Sequence, residues 1–299
     1  MTVIIKNSFP NGLPSLAELA ELNAGKNVPA ETAWIWGEQD ELGRINLLTP
    51  EVTRAAQQSE LKTGRVVSLN WSLAYPKQPS FHRSALKHRI QAHPISPCIF
   101  DDFYDTNSQA GSQWDGFRHF GHLGINKLYN NLSPEEVTTG TRCGINAVSE
   151  HGIAGRGVLL DHYSWAKDQG RPYDPMTGHA ISAEELKLVA KAQGVEFKQG
   201  DILLVRSGYI SRYHELEKTN PAKLEDLAEN PSFAGVEQSE EMKTFLHDSY
   251  FAAVGGDAPA FEELSVECKK NQRWTFFFTS APFNSPGGVA SFANALAMF

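Results

Sequence analysis

From residue 47 onward, short apolar runs that begin at glycines alternate with longer amphipathic stretches. Leu48-Thr-Pro-Glu-Val-Thr-Arg opens the first of these. Thr49 suits an N-cap and Pro50 the first helical position, so a helix is predicted to about Lys62. Gly64-Arg-Val-Val-Ser-Leu-Asn-Trp-Ser-Leu73 then reads as a strand. Gly157-Val-Leu-Leu-Asp161 and Gly200-Asp-Ile-Leu-Leu-Val-Arg206 are short enough and apolar enough to be buried strands. Between them, Ser182-Ala-Glu-Glu185 is a capping box that opens a helix to about Gln193. Met242 to Tyr250 is predicted helical, Phe251-Ala-Ala-Val-Gly255 a strand, and Trp274-Thr-Phe-Phe-Phe-Thr279 the last clear strand. Strands separated by helices predict an α/β layer architecture. Residues 9–36 differ: Pro10, Pro14 and Pro29 surround one short helical pattern, Leu16 to Leu22. The expected organisation is an N-terminal arm (1–36) on one domain (37–299), with no internal repeat.

Charge narrows the functions available. Lys and Arg number 27 against 35 Asp and Glu, a formal net charge of -8. That sign repels phosphate backbones and anionic lipid, so neither nucleic acid nor membrane is an expected partner. No run approaches the roughly 18 apolar residues of a membrane span, and the first residues lack the apolar core of a secretory signal. Cys98, Cys143 and Cys268 are widely spaced and contain no C-x-x-C pair. They read as buried structural thiols of a cytoplasmic protein. No G-x-S-x-G elbow occurs, which disfavours a serine hydrolase, and Gly255-Gly256 lacks the spacing of a phosphate loop.

The chemistry concentrates in Gln109-Ala-Gly-Ser-Gln-Trp-Asp-Gly-Phe-Arg-His119. On a strand, side chains alternate faces, so Gln109, Gly111, Gln113 and Asp115 would point the same way. Three oxygen-bearing side chains with a glycine between them could cradle a cation. His119 follows Gly116, where the chain can turn, and could return its imidazole to the same place; His122 lies just beyond. A polar strand edge with satisfied amides is the alternative. Asp101, Asp102 and Asp105 read as a solvated acidic loop, His162 and His179 as structural imidazoles, and His151 and His214 as solvent-facing.

This segment resembles the signature of the cyclase family, which includes bacterial kynurenine formamidases and isatin hydrolases: His-x-Gly-Thr-His-x-Asp-x-Pro-x-His-Phe. Further blocks are similar to the family's in order: Trp36-Gly-Glu-Gln-Asp-Glu-Leu-Gly-Arg-Ile-Asn-Leu-Leu-Thr-Pro50, Gly200 to Gly208, Val254-Gly-Gly-Asp-Ala-Pro259, and Ala281-Pro-Phe-Asn-Ser-Pro-Gly-Gly-Val289. The wording is closest to the family's longer, fungal-type branch. The resemblance implies a swivelling β/β/α-type α/β domain with a mixed sheet and a homodimer or higher homo-oligomer. It also implies a metal-dependent hydrolase acting on a carbon–nitrogen bond, of which arylformamidase in tryptophan breakdown (N-formylkynurenine to kynurenine) is the best-known case. Carried over residue by residue, Asp115 is a metal ligand and His119 the catalytic imidazole. Gln109 and Gln113 stand where the two histidine ligands would be. Their carbonyls are weaker, harder donors, which leaves manganese, weakly held zinc or no metal as the alternatives. Trp114, Phe117 and His122 are candidate substrate contacts, although Trp114 could equally face the core.

The resemblance also implies a histidine and a glutamate after the Gly-Asp-Ala-Pro block. Here Ala258-Pro-Ala-Phe-Glu262 runs directly into Glu263-Leu-Ser, and the last histidine is His247. A segment near 261–263 reads as deleted, leaving Asp257 and Glu262 as the nearest candidate carboxylates. The competing expectations are therefore an amide or lactone hydrolase and a truncated relative that only binds a small aromatic ligand.

Overall fold

The computed structural model describes residues 12–23, 35–257 and 262–299. Its centre is a mixed six-stranded sheet in the order Val66–Ser68, Ala295–Met298, Thr275–Ser280, Ile153–Leu160, Ile202–Val205, Ala253–Gly256. The first four strands pair antiparallel; Ile202–Val205 is parallel to both its neighbours. The α/β class expected from the alternation is the one observed. Both sheet faces are covered, which is why the central strands read as continuous apolar runs. Leu159, Ile202, Leu204, Phe276 and Phe278 pack on one face with Leu48, Leu264 and Cys268. Val158, Leu160, Leu203 and Val205 pack on the other, beneath the helices Ala183–Ala192 and Glu240–Asp248.

Local signals act as expected. Thr49 caps the helix Pro50–Glu60 by accepting from the Val52 amide, and Ser182 and Glu185 form a reciprocal capping box. The helix Leu16–Asn23 matches the pattern read in the arm; Leu19 is buried and the Leu16 amide donates to Asp248. Residues 1–11 and 24–34 of that arm, and residues 258–261 leading into the expected deletion near 261–263, lie outside the described residues. Among the described residues no helix is long and apolar enough to cross a membrane.

Three expectations need correction. The strand expected at 157–161 begins earlier, at Ile153. Gly155 and Gly157 are inside it because a Cβ at Gly157 would come within 2.2 Å of the Phe276 ring, and one at Gly155 within 2.8 Å of Leu48. These glycines admit neighbours rather than start the strand. The acidic residues 101–105 are not a loop but half of a hairpin, Lys87–Ala92 paired with Phe100–Asp105, exposed at every position. There Asp102 pairs with His88 and Asp105 with Lys87. Cys143 and Cys268 are buried, but Cys98 is exposed at that hairpin's end.

His162 has the structural setting expected. It is completely buried, with Nδ1 3.1 Å from the Tyr173 hydroxyl, and burial drops its imidazole to about 4. Below its ordinary value the unfolded chain takes up a proton that the folded state refuses. Its contribution is therefore intact above about pH 6.5 and lost as pH falls toward 4, by up to about 3 kcal/mol. Urea midpoints of the wild type should fall steeply across that window, and those of His162→Phe less steeply. Parallel slopes would refute the assignment.

Candidate active site

The chain reaches the site through a turn, not a strand. Asn107 organises it: its side-chain oxygen accepts from the Gln109 amide at 2.8 Å and its carbonyl from the Ala110 amide at 3.0 Å. Arg83 Nη1 donates to the Gln109 carbonyl at 2.7 Å. Only Gln113–Asp115 is strand, paired antiparallel with Ala290–Phe292 so that Asp115 opposes Ala290. Gly111 is needed because a Cβ there would stand 2.8 Å from the Tyr75 carbonyl. Gly116 is needed too: its amide donates to the Val289 carbonyl at 2.9 Å, and a Cβ would meet that same oxygen. The turn after it returns His119, whose amide donates to the Gly116 carbonyl.

The four singled-out side chains do converge, although face alternation is not the reason. Asp115 Oδ1 accepts from Gln109 Nε2 at 3.2 Å and from Gln113 Nε2 at 2.9 Å. Gln109 Nε2 also lies 2.6 Å from His119 Nδ1, and His119 Nε2 is 3.9 Å from Asp115 Oδ1. Gln109 is buried, His119 half-buried and Asp115 open to solvent. An amide N–H on Nδ1 places the ring proton of a neutral imidazole on Nε2, the nitrogen facing Asp115. Rotating the Gln109 amide by half a turn reverses this, so Gln109 selects the tautomer of His119.

The other candidates divide. The indole of Trp114 donates to Ser280 Oγ at 2.8 Å and meets Phe278 edge-on, so its outer part is core. Phe117 stacks on Tyr129 at 4.0 Å. Both also line a cavity of about 750 Å³ that opens beside Gln113 and Asp115. A smaller cavity of about 120 Å³, edged by Phe81, Tyr209 and Phe233, touches Gln109 and Gln113 from another side. His122 sits in an exposed turn closed by its amide on the Lys127 carbonyl, and lines neither cavity. Asp257 is fully buried and filled: Ser207 N, Ser207 Oγ and Gly208 N donate to it at 2.5, 2.7 and 2.7 Å. That makes it the clamp of the turn after Ile202–Val205. The side chain of Glu262 lies outside the described residues. His214, expected in solvent, is half-buried and takes the Trp71 indole N–H at 3.1 Å.

Among the described residues, no three His, Cys, Asp or Glu side chains converge as a metal cluster. The donor set therefore does not fit a structural zinc site. It does fit a weakly held hard cation. Gln113 Oε1 is buried without a partner, and amide rotation would bring both glutamine oxygens toward Asp115.

A family model described as "Putative cyclase" matches residues 75–263, more than half of the chain. The chain belongs to that family. A crystal structure of a novel cyclase aligns with 88% of this cyclase-family chain and 98% of its own, with TM-score 0.77 and 25% identity. An isatin hydrolase bound to the product analogue thioisatinate aligns with 82% and 95%, with TM-score 0.50 and 14% identity. Isatin hydrolase A from Ralstonia solanacearum aligns with 83% and 97%, at TM-score 0.48 and 14% identity. At 14% identity the likeness to the thioisatinate-bound enzyme is one of fold. Comparison with curated proteins returned no match.

Proposed function

We propose that this cyclase-family chain is a hydrolase of small amides or lactones, with arylformamidase-type cleavage of N-formylkynurenine as the first substrate to try. The observation that carries it is the convergence of Gln109, Gln113, Asp115 and His119, of which Gln113 and Asp115 line a cavity of small-molecule size. Asp115 and the amide oxygens of Gln109 and Gln113 would hold a divalent cation such as manganese. When bound, such a cation would supply an acidified water and polarisation of a carbonyl oxygen. The chain's own residues do the rest. With its oxygen turned toward the cation, Gln109 would accept the Nδ1–H of His119, which leaves Nε2 to take the proton of the attacking water and pass it to the departing nitrogen or oxygen. Asp115, 3.9 Å away, stabilises the imidazolium between the two transfers.

The test is turnover of N-formylkynurenine and of aryl lactones, with and without added manganese, by wild type and Asp115→Asn. The expected result is a manganese-stimulated rate that falls by at least about tenfold in the variant. No turnover of either class under any metal would refute the hydrolase reading. It would leave the binding-only alternative, to which the mutually satisfied Gln–Asp–His hydrogen bonds lend support.

A further inference from the structure

The large cavity has a chemical polarity of its own. Its floor is the sheet core: Leu69, Ile153, Leu204 and Phe278 line it, each under 5% exposed. Protein interiors seldom keep voids larger than a water, whereas small-molecule pockets run to about 300–1,000 Å³. One wall carries Gln113 to Phe117, including Asp115. Another wall is basic. Arg44 comes from the 3-10 turn Gly43–Leu47, and Lys243 and His247 lie one helical turn apart on Glu240–Asp248.

Arg44 is poorly matched by the protein. Its Nη1 donates to the His247 carbonyl at 3.1 Å, and its guanidinium lies 4.7 Å from the Tyr250 ring centroid. Among the described residues no carboxylate lies within salt-bridge distance of it. Asp248 acts on it electrostatically, but that carboxylate already takes the Leu16 amide and His247 Nδ1. Burial pushes the Arg44 guanidinium below its ordinary value, and burial likewise lowers His247. Lys243 is engaged by Glu240 at 2.7 Å and adds positive charge to this wall without offering a vacant ammonium. A cation sunk in an apolar wall, with guanidinium N–H groups to spare, is matched by an anion that enters with an apolar body.

We infer that the cavity binds a small molecule with an apolar body and a carboxylate, the carboxylate meeting Arg44 and the body lying on Leu204 and Phe278. As a statement about substrate class this rests on the hydrolase reading, since the scissile group would then face Asp115; as a statement about binding it does not.

Calorimetric titration of the full chain with 3-phenylpropionate and with its neutral amide, 3-phenylpropanamide, tests it. The acid should bind about tenfold tighter than the amide, as a charge-assisted pair requires. Arg44→Gln should abolish that preference and Arg44→Lys should retain most of it, which separates charge from lost packing. Val254→Trp, at a half-exposed position lining the cavity, should weaken both ligands while leaving the thermal midpoint unchanged. Equal affinity for acid and amide, or an undiminished preference in Arg44→Gln, would overturn the proposal, as would no saturable binding to wild type. Arg44-dependent binding without turnover of any amide or lactone would refute the hydrolase reading and leave this one standing. Turnover without acid preference would do the reverse.

Discussion

Replacing His119 by alanine should lower kcat/KM for any amide or lactone this protein hydrolyses by about 10²–10⁴-fold, the range of a positioned general acid. The side chain is 28% exposed, and its one close partner is the Gln109 amide at 2.6 Å. Its loss removes little packing, so the thermal midpoint should hold. Gln109→Leu provides the discriminating comparison. It keeps the imidazole but removes the amide that selects its tautomer and would offer the cation an oxygen, so it should displace the pH profile and raise the manganese concentration needed for half-maximal rate. If His119→Ala retains wild-type kcat/KM, the imidazole is a bystander. If both variants lose activity together with their thermal midpoint, the constellation is a fold element and the chemistry lies elsewhere.

That constellation was legible in the sequence, though partly through a wrong intermediate. The expectation of one face of one strand rested on period-two alternation through 109–115. The observed route is an Asn107-centred turn followed by a three-residue strand, with glycines at 111 and 116 forced by carbonyls of other segments. Those carbonyls, from Tyr75 and Val289, are remote in sequence, so no local pattern could announce them. The central strands were legible because burial on both faces makes them continuously apolar. The hairpin Lys87–Ala92 with Phe100–Asp105 was not, because its exposed positions mix charged and aromatic residues and neither face imposes a periodicity.

The basic wall of the cavity marks the same limit for function. In the sequence Arg44 is only part of a motif similar to the family's, and Lys243 and His247 are only members of a helix. What joins them is the packing of that helix against the turn Gly43–Leu47, sealed by Arg44 on the His247 carbonyl. A recognition surface assembled from segments about two hundred residues apart has no signature in either one. The Gln109–His119 cluster, by contrast, is built within eleven residues, so spacing raises it as a cation cradle, and the resemblance to the family's signature weighs it against a polar strand edge.

Asp257 carries the second large effect, and it should act on stability rather than on chemistry. It follows the edge strand Ala253–Gly256 and fills the turn after the neighbouring strand, taking three donors from Ser207 and Gly208. Gly208 has φ 89, and a Cβ there would sit 2.5 Å from the Tyr163 ring, so the turn has no other way to close. Asp257→Ala would strand two backbone N–H groups and a hydroxyl away from water. Toward the lower end of about 1–3 kcal/mol for each of these unsatisfied donors, the loss should be on the order of 3–5 kcal/mol. For a chain of this size that is a fall of about 10 °C in the thermal midpoint. Asp257→Asn should cost less, because its amide oxygen still accepts, but not nothing, because its NH₂ must face a donor. Ser207→Ala, which removes only the hydroxyl, should cost about 1 kcal/mol. Calorimetry on the three variants checks the order. A carboxylate held for catalysis or for a metal would behave in the opposite way. Asp257→Ala would then leave the midpoint in place and lower turnover, and that result would move Asp257 back into the site.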